Sequence, residues 1–121
     1  MNYESSTVVE SKHVSGVAFV ITRMSFARRM ELMCHIRELA AKREFAEASE
    51  SPQDQLSAAL LSGEMDRVYL KWGVRELIGL NIDGVAATPD ALAAAGPEEL
   101  FREAVAAVKA ECGLSDAERK N

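Results

Sequence analysis

"ASESPQD", Ala48 to Asp54, is where one helix has to end and another begin. Ser51 offers a capping hydroxyl, Pro52 fills the first helical position, and Asp54 falls at the reciprocal position of a capping box. Upstream, Ser25 caps "FARRMELMCHIRELAAKREFAEA", a run with the length and composition of a long first helix. At about 100° per residue, Phe26, Leu32, Met33, Ile36, Leu39 and Ala40 form a broad apolar stripe. Glu31, His35, Glu38 and Lys42 fall opposite, and the i,i+4 pairs Glu31–His35 and Glu38–Lys42 give ordinary surface support. Downstream, a second helix is predicted from Pro52 to about Leu77. Leu56, Leu60, Leu70, Val74 and Leu77 share one of its faces, and Leu61, Met65, Val68 and Trp72 form another. Two apolar faces place that helix centrally, between the first helix and a further layer. Gly63 lies on the first face, where it permits close approach at a propensity cost of about 1 kcal/mol. A break near "SGEMD" would instead divide the segment into two helices.

Further out the rhythm changes. Residues 1–13 are polar and read as a flexible leader, ahead of a single mainly helical domain over 14–121. "HVSGVAFVITRM" suits a strand, with Val17, Phe19 and Ile21 on one side and Val14, Gly16, Ala18 and Val20 on the other. A lone strand leaves backbone groups unpaired, so it requires a partner, either the early "STVVE" run or another chain. "LIGLNIDGVAA" carries an Asp-Gly turn signal and is predicted to form a small hairpin near residues 78–86. Thr88 and Pro89 start a short helix that Gly96 stops. The last substantial helix follows, with Phe101, Ala104, Val105 and Val108 on its face and Cys112 beneath, and Gly113 closes it. Ser115 and Glu118 make a further capping box with few residues after it. The expected fold class is mainly α, with a short N-terminal strand or hairpin.

The formal charge is -5, from 14 Lys and Arg against 19 Asp and Glu. This gives no broad field to attract nucleic acid, and the cluster Arg23, Arg28 and Arg29 is too small to reverse it. The candidate recognition helices of a helix-turn-helix, 89–95 and 97–112, lack a base-reading face. No run approaches the roughly 20 apolar residues of a membrane span. The N-terminus lacks the pattern of a secretion signal, and a cytoplasmic site of action is expected.

Catalytic and metal-binding patterns are weak. Cys34 adjoins His35, but helical neighbours point about 100° apart, poor geometry for a dyad. The cysteines, Cys34 and Cys112, read as reduced thiols, and with the histidines they lack the spacing of a zinc site. "DGVAATPD" has too few alternating oxygens for a calcium loop, and no phosphate loop or dinucleotide fingerprint is present. Arg67 projects between the rows of Leu60 and Val74, where it is expected to pair with Glu64 or another acid, or to snorkel at the edge. No enzyme activity, cofactor or metal is expected. What remains is a helical adaptor with surplus apolar surface. Its candidate partner contacts are Phe19 on the strand, Met30 and Met33 on the first helix, Tyr69 and Trp72 on the second, and Phe101 on the last.

Four segments carry a family resemblance: "MSFARRMELMCHIRELAAKREFAEA", "YLKWGVRELIGLNIDGVAATPDAL", "GPEELFREAVAAVKAE" and "LSDAERKN". Together, over about residues 17–121, they resemble the tail assembly chaperones of long-tailed phages and prophages, or a related small tail-cluster protein. "GLNIDG" and "LSDAERKN" are the most specific parts. The resemblance implies a non-catalytic protein of the host bacterial cytoplasm that binds the tape measure protein and assists tail tube assembly, with the tail tube protein as a second partner. It also implies a longer product made by ribosomal frameshifting near the end of the frame, visible in the gene as a slippery run near codons 114–121. The alternative is a structural tail component, a completion or connector subunit, for which self-association is expected. A small DNA-binding regulator is a more distant alternative.

Overall fold

The computed structural model describes residues 1–113. The capping box at Ser115 and Glu118, and the family-like "LSDAERKN", lie outside the described residues. The chain is mainly helical with a small antiparallel sheet. In chain order the elements are β1 (Ser6–Glu10), β2 (Ala18–Thr22), α1 (Phe26–Glu47), α2 (Pro52–Gly73), β3 (Val74–Ile78), β4 (Asn81–Ile82), β5 (Val85–Ala86), α3 (Pro89–Ala95) and α4 (Glu98–Glu111). The sheet has the order β1-β2-β3.

β2 is the central strand, and "STVVE" is its partner within the chain, with Ser6 opposite Thr22 and Glu10 opposite Ala18. The loose leader expected over 1–13 is therefore a strand over Ser6–Glu10, because this run satisfies one edge of β2. Val17, Phe19 and Ile21 are buried on the side that meets the helices, as the alternation of the sequence predicts.

α1 and α2 form a helical hairpin. The Ser25 hydroxyl accepts from the Arg28 N–H and starts α1. Ser51 occupies the N-cap of α2 with Pro52 at the first position, but its side chain makes no capping hydrogen bond. α2 is unbroken through "SGEMD" and ends at Gly73, short of the expected Leu77. Val74 and Leu77 lie on β3, which pairs with β2 (Phe19 opposite Leu77, Ile21 opposite Val74). A bulge at this pairing, opposite Val20 and Ile21, puts Val74 and Leu77 on the same buried face although they are three residues apart.

Close helix approach occurs at Gly73, not at Gly63. Gly63 faces open space, whereas a Cβ at Gly73 would lie 2.4 Å from the methyl groups of Val108 on α4. The hairpin predicted around Asp-Gly is present as β4 and β5. Asp83 and Gly84 both have positive φ, 52° and 79°, as a type I′ turn requires. Thr88 caps α3 by accepting from the Ala91 N–H, and Gly113, at φ 77°, follows α4.

The main core gathers the inner face of the sheet, the C-terminal half of α2, α3 and α4. Phe19, Ile21, Leu92, Leu100 and Val108 are its largest fully buried side chains. From α1 the buried residue in this cluster is Leu32, with Ile36 packed against it. Near the turn of the hairpin the buried residues are Ala46 and Ala58. The hairpin thus extends beyond the main core. No helix among the described residues is long and apolar enough to cross a membrane.

Candidate protein-interaction surface

The broad apolar stripe expected on α1 divides into two. Leu32 and Ala46 are buried, and Arg28, Ile36, Leu39, Ala40 and Arg43 are half-buried on the same side, facing α2 and the core. Phe26, Met30 and Met33, spaced i, i+4 and i+7, stand outside it. Phe26 is 80% exposed and Met33 58%, so the broad stripe expected on α1 is not buried as one face, and Met33 is open as a candidate contact. The physical reason is width: a helix that packs on one partner helix buries a narrow seam, and these residues lie beyond it. On α2, Leu56 and Leu60 are likewise exposed, since the core does not reach that end of the hairpin. Phe45 is open as well.

Beside Met30 and Met33 runs an apolar groove of about 540 Å³. Leu32, Tyr69 and Cys112 are its buried residues, and Ile36 is half-buried. Met30, Met33, Cys34, Arg29 and Arg37 line its exposed parts. Three helices build it: α1 along its length, α2 through Tyr69, and the end of α4 through Cys112. Arg29 fixes the corner between α1 and α4 by donating to the Cys112 carbonyl at 2.9 Å. A cation at a helix C-terminus is favourable because the last carbonyls carry partial negative charge. Burial pushes the Cys112 thiol up from its ordinary range, with Arg29 opposing and Glu111 adding to the shift. Both Cys34 and Cys112 are free thiols, Cys34 exposed and Cys112 buried.

Tyr69 is held from α4 as well. Lys109 lies 5.1 Å from its ring centre and makes an ion pair of 3.0 Å with Asp66. The opposite flank of α1 meets Trp72. The Arg28 guanidinium stacks 4.6 Å from the indole centre and donates to the Trp72 carbonyl, and the His35 ring lies 5.6 Å from the indole. Cys34 and His35 therefore belong to different surfaces: Cys34 lines the apolar groove, and His35 lines a pocket with Trp72 and Lys71. Arg67 is exposed, and among the described residues it makes no ion pair with Glu64; it points to water rather than into the core. Glu38–Lys42 forms as an exposed i,i+4 pair at 3.4 Å.

The candidate contacts named from sequence thus separate by burial. Phe19 is fully buried in the core, so it shapes the sheet and cannot meet a partner directly. Tyr69 is buried at the base of the groove; Trp72 and Phe101 are half-buried and packed against the core. Met30 and Met33 are the two that a partner can reach on α1. Sequence reasoning missed Phe26, Phe45, Leu56 and Leu60 as open surface, and Arg29, Arg37 and Cys112 as groove residues. The signal was available for Phe26: with Met30 and Met33 it repeats at helical spacing on a face of its own. Nothing in the sequence placed Cys112 beside Met33.

No group of three or more His, Cys, Asp or Glu residues suited to a metal occurs among the described residues. No family model, curated protein or solved structure matches this chain.

Proposed function

We propose that this protein is a non-catalytic assembly chaperone that binds a helical segment of a larger partner along the outer face of α1. The partner in this reading is the tape measure protein of a long phage tail, kept soluble in the bacterial cytoplasm while the tail tube assembles around it. One observation carries the reading: Phe26, Met30 and Met33 stand exposed at i, i+4 and i+7 beside an apolar groove. Such a row is the half-interface of helix-in-groove recognition, and flexible methionines adapt to varied apolar partners. The resemblance of the sequence to tail assembly chaperones supplies the identity of the partner.

Co-expression with the tape measure protein of a neighbouring tail gene cluster tests this. The soluble fraction of the tape measure protein is expected to rise, and Met33→Glu, at an exposed position, is expected to abolish the rise while leaving the chaperone folded. An unchanged soluble fraction contradicts the reading. Recovery of the protein from purified virions would favour a structural tail component instead.

A further inference from the structure

The charge around the groove is opposite to that of the chain. The protein carries -5 overall, yet the charged residues lining the groove are Arg29 and Arg37, with no carboxylate among them. Both are exposed. Arg29 spends one nitrogen on the Cys112 carbonyl and keeps the rest of its fork. Arg37 makes no ion pair among the described residues. They stand eight positions apart on α1, about 12 Å along the axis at the usual helical rise. Between them lies the apolar stretch with Met30 and Met33. All of the lining comes from helices and offers side chains rather than a strand edge, so an extended peptide would leave its backbone donors unpaired there. A helix brings its backbone already satisfied.

From this arrangement we infer that the groove selects an acidic amphipathic helix: an apolar stripe flanked by carboxylates about two turns apart, one for Arg29 and one for Arg37. This rests on the helix-binding reading above and adds the chemistry of the occupant. Basic helices of equal hydrophobicity are rejected, because each lysine would face an arginine across a partly desolvated rim.

Fluorescence anisotropy on the full chain tests it with two labelled synthetic peptides of about 18 residues, long enough to hold helix in isolation. Both carry the same leucine stripe; one has Glu at the two border positions and the other Lys. The Glu peptide is expected to bind at least about tenfold more tightly, with the difference shrinking as salt rises. Arg37→Glu is expected to reduce or invert the preference, and Met33→Asp to weaken both peptides. Circular dichroism checks that both variants, at exposed positions, remain folded. Equal binding of the two peptides, or a preference untouched by Arg37→Glu, overturns the inference while leaving helix binding standing. Binding that emerges only after removal of residues 114–121 would assign the groove to that segment and overturn it too. If neither peptide binds although the tape measure protein is still solubilised, the groove is not the docking site: the inference fails, the placement of the partner along α1 fails with it, and only the chaperone role stands.

Discussion

At Gly73 the absence of a side chain lets α4 come in against the end of α2. A Cβ there would sit 2.4 Å from both Val108 methyls, and Val108 is fully buried and β-branched, so it cannot rotate away cheaply. Gly73→Ala is therefore expected to destabilise the fold, its overpacking cost of about 1–3 kcal/mol exceeding a helix-propensity gain of at most about 1. Urea unfolding reads the change. Combining it with Val108→Ala should relieve the clash, so that the double variant is more stable than the sum of the single losses predicts. Additive losses would show that the two residues do not meet. The sequence marks Gly63 as readily as Gly73, since each is a glycine in a helical run. What separates them is the position of α4, a contact between residues 35 apart in sequence that no local pattern encodes.

Between elements, the β1–β2 connection is tied to α4 through Glu103. Its carboxylate accepts from the Ser11 hydroxyl at 2.6 Å and from the Lys12 N–H at 2.7 Å. Burial raises its pKa, but the hydrogen bonds from Ser11 and Lys12, with the charges of His13 and Lys12, outweigh it and hold the carboxyl below its ordinary value. A carboxyl lowered in the folded state adds stability above its unfolded pKa, and that stability is lost as pH falls through the folded value. Glu103→Gln is thus expected to cost stability near neutrality and progressively less in acid below about pH 4. The effect is modest because the carboxylate is partly screened by water. Unfolding curves of both proteins across that range test it; a pH-independent difference would contradict it. The element boundaries show why periodicity misleads here. Val74 and Leu77, three apart, share a face in a helix, and the bulge in β3 gives them a shared face in a strand. The Asp83-Gly84 turn was legible because its chemistry is local, requiring positive φ at both central residues.

For the whole molecule, large apolar side chains stay open in two places on the helical hairpin: its far end, where Phe45, Leu56 and Leu60 stand exposed, and the outer face of α1. The mainly helical class, the pairing of the N-terminal strand and the existence of both long helices follow from capping and periodicity. Which apolar residues stay in water does not, since Leu56 and Leu60 repeat as regularly as a buried face and differ from one only in having no layer above them. The central claim is that a helical partner lies along Met30 and Met33. A photo-crosslinking residue placed singly at Met33, Met30 or Val85 tests it most directly, in cells also producing the tape measure protein. Val85 serves as the control because it is apolar and 69% exposed but lies on the β4–β5 hairpin. Crosslinks to the tape measure protein from Met30 and Met33 but not from Val85 are predicted. Co-purification of the two proteins with no crosslink from either methionine, or with equal crosslinking from Val85, would contradict the account.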